Sequence, residues 1–311
     1  LYPEPKDGMM FVFSPDYVVD IGAHVFPTRK FELVCGLLKE RGLARQADFV
    51  DPGEASRSDL LLAHTPEWVG KILEGRTNLD DEMLMELPWS KALAKAHSKA
   101  AAGTLLAARH ALDRGLGVHV GGGSHHAFAD HGEGFCVFND LAVAIRVLQR
   151  EDPGIRAAVI DLDVHQGNGT ASIFAKDPLV ATFSMHQEDN YPAVKPPGTV
   201  DIGLPAGTSD EKYLKLLSER LGPFLDDARP KLALYQAGVD CWEGDALGGL
   251  KLSRAGLAAR DEAVFSACFG RKAPVVITLG GGYAARIEDT VALHARTIEI
   301  GLEKHGRDRS G

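Results

Sequence analysis

The sequence predicts an α/β fold in which a parallel sheet has helices on both faces. Two observations lead to this prediction. Short apolar stretches typical of buried strands alternate with stretches of helical period along almost the whole chain, and this order is typical of parallel sheets. No linker rich in proline, glycine or serine and no internal repeat divides the 311 residues. We therefore expect residues 1–311 to form a single domain.

The predicted elements follow one another in chain order. Helical spacing of apolar residues predicts helices at 29–42, 90–115, 139–151, 209–228, 253–270 and 287–306. Apolar runs predict strands within 117–127 and at 156–165, 179–186, 230–240 and 273–283. A glycine ends the first helix, and Ser209 or Asp210 is the expected N-cap of the helix at 209–228.

Composition excludes several classes of protein. A formal net charge of -9 without a long basic run argues against binding to nucleic acid through its phosphates. The four cysteines, which are far apart and form no C-x-x-C pair, indicate neither a disulfide framework nor a cysteine zinc site. No apolar run is long enough to span a bilayer, and the first residues show no signal-peptide pattern. We expect a cytoplasmic protein that does not bind membranes.

Polar side chains follow four of the predicted strands. Ligands of open parallel sheets bind outside the carboxyl ends of the strands, so these side chains are expected to converge. The residues are His125 and His126 after "GGGS", Asp161, Asp163 and His165 in "DLDVH", Asp240 after "QAGV", and Tyr283 after "LGGG". Asp161, Asp163 and His165 occupy alternate positions, so in a continuous strand they would lie on one face.

The chemistry of these side chains suits metal-assisted hydrolysis of an amide. Asp163, His165 and Asp240 offer two carboxylates and one imidazole, and three such ligands with one open position are typical of a catalytic zinc site. Iron or cobalt would accept the same donors. The metal would activate water and polarise a carbonyl, the two histidines His125 and His126 could transfer protons, and the tyrosine could stabilise an oxyanion.

Each of these signals also has a structural alternative. The "DLDVH" set could be a hydrogen-bonded cluster at a strand end, Asp240 could cap a helix, and "GGGY" could be a simple turn. Their joint occurrence at four strand ends favours the catalytic interpretation. The remaining histidines lack comparable neighbours. We expect His97 and His110 to be surface or satisfied helix residues without a role in the site, and we expect structural or surface roles for His24, His64, His131 and His294.

The order of the motifs resembles the zinc-dependent histone deacetylase family, which also includes acetylpolyamine amidohydrolases and acetoin-utilisation proteins. The matching motifs are "GGGSHHA", "GFCVFND", "VIDLDVHQGNGT", "FSMH", "QAGVD" and "LGGGY". The resemblance covers roughly residues 20–300, and "HQGNG" is most similar to class IV and bacterial members. It implies an arginase–deacetylase fold with a parallel sheet of about eight strands.

The resemblance also implies roles for individual residues. One Zn²⁺ would be bound by Asp163, His165 and Asp240. His126 would be the general base, Asp161 would orient His125, Tyr283 would polarise the scissile carbonyl, and Gly134 and Phe135 would line a narrow tunnel for an acyl-lysine chain. A potassium site is implied near Asp161, Asp163, His165, Ser184 and Met185.

The chain departs from the family pattern at several positions. Asn168 stands where many members have a second aspartate. A neutral amide would orient His126 without raising its basicity, so His126 should be unprotonated near neutral pH. Tyr191 and Glu86 are the candidates for a second tunnel aromatic and an acidic residue at the rim, although neither lies in a matching motif.

Three functions are compatible with the sequence. The first is a deacylase acting on acylated lysine in a protein or peptide. The second is an amidohydrolase acting on an acylated small amine such as an acetylpolyamine, which a long insertion narrowing the entrance would favour. The third is an inactive binding module, but no ligand or tyrosine is missing. An arginase-like site with two metals would need a D-A-H-x-D pattern that "DLDVHQGN" lacks.

Overall fold

An eight-stranded sheet crosses the residues that the computed structural model describes, which are 9–308. Its strands are β1 (Phe11–Val12), β2 (Phe49–Val50), β3 (Leu116–His119), β4 (Ala157–Asp161), β5 (Val180–Gln187), β6 (Val200–Leu204), β7 (Leu232–Gln236) and β8 (Val275–Thr278). Their order across the sheet is β2-β1-β3-β8-β7-β4-β5-β6, and every neighbouring pair is parallel. The predicted fold class is confirmed.

Helices cover both faces of this sheet. They are α1 (Lys30–Glu40), α2 (Arg57–Leu60), α3 (Pro66–Glu74), α4 (Leu79–Met85), α5 (Lys91–Arg114), α6 (Asp140–Glu151), α7 (Asn168–Phe174), α8 (Asp210–Ala228), α9 (Arg254–Phe269) and α10 (Ile287–Asp308). Ile160 of β4 belongs to the buried cluster that contains Leu221 of α8 and Val264 of α9. The preceding Val159 belongs to a second cluster, with Ile145 of α6. Because neighbouring strand residues point to opposite faces, both faces are buried.

The six predicted helices are all present, and their bounds differ from the predicted ones by at most two residues. The expected cap of α8 behaves differently. Ser209 is the N-cap residue but makes no capping hydrogen bond with its side chain. Asp210 instead accepts hydrogen bonds from the N–H and the hydroxyl of Ser253, at 2.8 and 2.6 Å, which ties the start of α8 to the start of α9. None of the helices within residues 9–308 has the length and apolarity needed to cross a membrane.

Three predicted strands end earlier than expected. The strand predicted at 156–165 ends at Asp161, so the expectation that its polar side chains alternate along one strand is wrong. The reason lies in a competing hydrogen bond: the N–H of Val164 donates to a carboxylate oxygen of Asp240 at 2.8 Å. The two polar residues after Asp161 therefore lie in a loop. The other two strands end at Gln236 and Thr278.

A buried arginine supports two of the loops at the carboxyl edge of the sheet. The guanidinium of Arg260 donates to the carbonyl oxygens of Leu162 and Gly238, at 3.1 and 2.6 Å. Its charge is balanced by Asp261, whose carboxylate lies 2.8 Å away. Burying a charge is costly unless it is paired and hydrogen-bonded, so this cluster holds the loops after β4 and β7 in one arrangement.

Candidate active site

The predicted site residues lie after four strands that are neighbours in the sheet. The order β3-β8-β7-β4 places the loops that follow these strands side by side at the carboxyl edge. The loop after β3 carries His125 and His126, and the loop after β4 carries Asp163 and His165. The other two loops carry Asp240 and Tyr283. The convergence expected from the sequence therefore follows from strand order, even though three strands are shorter than predicted.

Asp163, His165 and Asp240 form a buried group whose ligand atoms all lie within 4.8 Å of one another. The Nδ1 atom of His165 lies 3.1 Å from Asp163 Oδ1 and 3.3 Å from Asp240 Oδ2. The outer carboxylate oxygens are held by backbone donors: Gly281 N–H donates to Asp163 Oδ2 and Val164 N–H donates to Asp240 Oδ1, each at 2.8 Å. Such outer contacts orient metal ligands.

This group fits a divalent metal ion. Asp240 Oδ2 is buried and accepts no hydrogen bond from any of residues 9–308. Burial, and then the charge of Asp163, raise the pKa of Asp240 to about 7. Both features are costly for a buried carboxylate, and a cation between the two aspartates would relieve them. Two carboxylates and one imidazole are donors that zinc and other divalent transition metals accept.

The loop that carries the two histidines is held by Asp140 at the start of α6. Its carboxylate accepts hydrogen bonds from the N–H groups of Gly123 and Ser124, at 3.0 and 2.7 Å. Gly123 has a φ of +89°, and a Cβ there would lie 2.8 Å from the side-chain Cδ of Gln236. A glycine is therefore required at this turn.

The two histidines have different partners. His125 Nδ1 lies 2.7 Å from Asp161 Oδ2, as the resemblance implies, and His126 Nδ1 lies 2.7 Å from Asn168 Oδ1. The centroids of the two rings are 4.0 Å apart. One histidine thus faces a carboxylate and the other faces a neutral amide, although both are buried.

These partners give the two rings opposite protonation states near neutral pH. Burial disfavours charge on His125, but the charges of Asp161 and Asp163 outweigh it and raise the pKa to about 9. Burial lowers the pKa of His126 well below its ordinary value, and the positive charge of His125 lowers it further. An imidazolium beside a neutral imidazole separates the acid from the base within one site.

Tyr283 follows the three glycines after β8. Its N–H donates to Asp245 at 2.6 Å, and its ring lies 5.5 Å from Lys30 Nζ and 5.9 Å from the ring of Phe135. Within residues 9–308 the hydroxyl of Tyr283 makes no hydrogen bond. Burial raises the pKa of this phenol well above 10, so it stays protonated and can donate.

A cavity of about 210 Å³ leads from the surface to this group of residues. It is lined by Val25, Glu86, His126, Gly134, Phe135, His165, Asn190, Tyr191, Leu247 and Tyr283. Gly134 has a φ of +49°, and a Cβ there would lie 2.8 Å from the ring of Tyr191. The structure therefore brings both expected tunnel residues, Gly134 and Phe135, together with Tyr191 and Glu86.

Sequence reasoning missed several residues around this cavity. Lys30 is buried and donates to Gly280 O at 2.6 Å, and burial lowers its pKa to about 8. Glu133 accepts hydrogen bonds from Asn168 and Tyr191. The expectation of a satisfied or surface position for His97 is wrong: it lines a second cavity of about 70 Å³ behind His125, and its buried Nδ1 has no partner within residues 9–308.

The five residues of the implied potassium site lie on neighbouring parts of the sheet: Asp161 on β4, Asp163 and His165 in the loop between β4 and α7, and Ser184 and Met185 on β5. Asp161 and Ser184 are register partners on neighbouring strands. A small cavity of about 10 Å³ is lined by Asp161, Ser184 and Thr182 among others. Met185 is buried in the core.

Comparison with known proteins finds similar chains. A family model described as a histone deacetylase domain matches residues 24–298. Histone deacetylase 2 of Arabidopsis thaliana is 30% identical over 292 residues, which cover 90% of this chain and 76% of that protein. An uncharacterized protein of Picosynechococcus is 42% identical over 289 residues, or 93% of this chain and 96% of its own length. The acetoin utilization protein AcuC of Bacillus subtilis is 29% identical over 266 residues, covering 76% of this chain and 67% of AcuC.

The fold is also similar to a solved structure. The crystal structure of the HDA15 HD domain matches with a TM-score of 0.78 at 21% identity, covering 94% of this chain and 91% of that chain.

Proposed function

Because the chain belongs to the histone deacetylase family, we propose that it is a zinc-dependent hydrolase that removes the acyl group from an acylated lysine in a protein or peptide. One observation carries the proposal: His165, a member of the buried Asp–His–Asp group, lines a cavity that also exposes a neutral histidine and a protonated tyrosine. This arrangement suits the hydrolysis of an amide at the end of a linear chain.

Asp163, His165 and Asp240 would hold the metal. When bound, it would act as a Lewis acid that lowers the pKa of a water molecule and polarises the amide carbonyl. His126 takes up a proton from the attacking water at Nε2, because its Nδ1 faces the Asn168 side-chain oxygen, which can only accept a hydrogen bond. The same proton then passes to the leaving amine as the carbon–nitrogen bond breaks.

The other two polar groups act on charge. Tyr283 donates its hydroxyl to the carbonyl oxygen as negative charge develops there. His125, held by Asp161, remains an imidazolium. Its positive charge disfavours a second positive charge on His126, because the two ring centroids are only 4.0 Å apart. Loss of charge on His125 would therefore change the basicity of His126 as well as the potential at the oxyanion.

The walls of the cavity favour an unbranched aliphatic chain. Phe135 and Tyr191 supply flat apolar surfaces, and Gly134 leaves space that a larger residue would fill. Glu86, which is exposed at the entrance, could accept hydrogen bonds from the backbone of a peptide substrate. These features support acyl-lysine in a polypeptide over a free acylated amine.

We extend the proposal to the remaining features that the family resemblance implies. A structural potassium ion would bind near Asp161, Asp163, His165, Ser184 and Met185. Residues 1–311 would form one catalytic domain. The four free cysteines, all buried, are compatible with action in the cytoplasm.

The test combines metal analysis with a substrate panel. The purified protein should contain one zinc per chain and should hydrolyse acetyl-lysine peptides with a higher kcat/KM than N-acetylputrescine or N-acetylspermidine. Lysine peptides carrying longer acyl groups measure the length of the cavity. A zinc-loaded protein that prefers the acetylated amines would make it a polyamine deacetylase, and one inactive on every acylated amine would overturn the proposal.

A further inference from the structure

A chain of hydrogen bonds runs from the candidate general base to a carboxylate that the sequence did not single out. His126 Nδ1 lies 2.7 Å from Asn168 Oδ1. Asn168 Nδ2 donates to Glu133 Oε1 at 2.8 Å. The hydroxyl of Tyr191 donates to the same Glu133 oxygen, also at 2.8 Å. The asparagine is therefore held between a histidine and a glutamate.

The two ends of an asparagine amide have the same shape but opposite hydrogen-bonding character. A carboxylate can only accept, so Glu133 requires the NH₂ end of Asn168 to face it. The oxygen end of Asn168 must then face His126, and since this oxygen can only accept, the proton of the neutral imidazole lies on Nδ1. The lone pair of His126 is consequently on Nε2.

Without the carboxylate, nothing in this chain of bonds would set the direction of the amide. A rotated Asn168 would present its NH₂ group to His126, and Nδ1 would then become the acceptor. The imidazole proton would move to Nε2, where it would block uptake of a proton from water. A neutral asparagine thus needs an oriented partner that an aspartate at the same position would not need.

Glu133 is well placed to serve as that partner. Its backbone is held in a tight turn, with Glu133 N–H donating to Cys136 O at 3.0 Å and Cys136 N–H donating back to Glu133 O at 2.9 Å. Its side chain is 18% exposed, and His131 Nε2 lies 3.6 Å from its second oxygen. Burial raises the pKa of this carboxyl, but the nearby His131 and the hydrogen bonds from Tyr191 and Asn168 outweigh burial and hold the pKa below its ordinary value.

We propose that Glu133 is a positioning residue that orients the Asn168 amide and thereby selects the Nδ1–H tautomer of His126. The proposal deepens the proposed function and rests on the assignment of His126 as the base. Because Tyr191 binds the same carboxylate oxygen, Glu133 also links one wall of the substrate cavity to this base.

The direct test measures the tautomer itself. In protein labelled with ¹⁵N-histidine, the nitrogen shifts and the two-bond proton couplings of His126 should identify an Nδ1–H imidazole, with or without added zinc. Glu133→Gln keeps the shape of the side chain but can present either an oxygen or an NH₂ group to Asn168, so His126 should show a mixture of the two tautomers. Glu133→Ala, and the bulkier Glu133→Met in case the alanine variant does not fold, should shift His126 toward Nε2–H.

Kinetics on an acetyl-lysine peptide gives a second, separate readout. Glu133→Ala or Glu133→Met should lower kcat at least about tenfold at unchanged zinc content, within the range that a general base contributes. Glu133→Gln should lower kcat by less than Glu133→Met, because part of the molecules would still present an oxygen to Asn168. His131→Gln, which leaves the Asn168 bond intact, is the matched control and should stay within about threefold of wild type, a difference of less than the 1.4 kcal/mol that a tenfold change represents.

The outcomes separate this inference from the proposed function. An unchanged Nδ1–H tautomer in Glu133→Met overturns the inference, whatever happens to activity. A tautomer that shifts in Glu133→Met supports it, even if peptide turnover is absent because the proposed substrate is wrong. A fall in kcat as large in His131→Gln as in Glu133→Met would also overturn it, since loss of the Asn168 bond would then not be the cause.

Discussion

Replacing Tyr283 with phenylalanine removes one hydroxyl from the candidate site while leaving the ring in place. The backbone of this residue is held by the hydrogen bond from its N–H to Asp245 at 2.6 Å, and its ring packs beside Phe135 with a centroid distance of 5.9 Å. Neither contact involves the hydroxyl. We therefore expect Tyr283→Phe to fold, bind metal and bind substrate as the wild type does.

The size of the effect follows from what the hydroxyl can do. Because burial raises its pKa well above 10, the hydroxyl is protonated at neutral pH and can donate a hydrogen bond. It makes no hydrogen bond to any of residues 9–308. One donor to a developing oxyanion contributes about 2.7–4 kcal/mol, which corresponds to a fall of about 10²–10³ in kcat. KM should change by less than about threefold, because the interaction strengthens mainly in the transition state.

Initial rates over a range of acetyl-lysine peptide concentrations give both constants, with zinc content measured on the same preparation. Tyr191→Phe serves as a comparison, since it removes the other tyrosine hydroxyl of the cavity, one that is bonded to Glu133. That variant should mainly raise KM. An unaltered kcat with only a raised KM in Tyr283→Phe would show that Tyr283 is a wall of the cavity with no part in catalysis.

Three further predictions concern the metal, the base and stability. Asp163→Ala and Asp240→Ala should each lose zinc together with activity, and unchanged zinc content by mass spectrometry in both would refute the ligand set. His126→Ala should keep zinc and lower kcat by about 10²–10⁴; near wild-type turnover would mean that another group is the base. Burial lowers the pKa of His64 from 6.5 to about 4, so the unfolded chain binds a proton there first and stability is lost as pH falls through that window. Linkage then lowers the free energy of unfolding by about 2 kcal/mol between pH 7 and pH 5 through His64 alone. Urea unfolding at the two pH values should therefore show a decrease that is about 2 kcal/mol smaller in His64→Gln than in wild type. Equal decreases in the two proteins would contradict this prediction.

Much of the architecture could be predicted because its signals are local. Six helices carry their period and their ends in the sequence, and β4, β5, β7 and β8 contain apolar runs. Strands β1 and β2 have only two residues each, too few for an alternation to be visible. The early end of β4 was also hidden, because the group that takes the N–H of Val164 is Asp240, 76 positions away.

The candidate site divides in the same way. Residues in the strand-end motifs, such as His126 and Asp240, could be found because each motif combines glycines or apolar residues with polar ones. Lys30 could not, since it lies in an ordinary amphipathic helix and meets Gly280 across 250 positions. Glu133 directly precedes the "GFCVFND" motif, but it is connected to the site only through its hydrogen bond with Asn168, 35 positions further on. No pattern in the sequence indicates that these two residues are in contact.

The position of β8 has a consequence for the order in which the protein can be assembled during synthesis. Although it is the last strand within residues 9–308, it lies in the sheet between β3 and β7, with register partners in both. Until residues 275–278 leave the ribosome, the strands β1 to β3 have no edge in common with the strands β4 to β7. Gly281, which donates to Asp163, and Tyr283 arrive only with this strand. A nascent chain is therefore expected to lack hydrolytic activity until β8 joins the two parts of the sheet. A protein truncated before β8 should be inactive for the same reason.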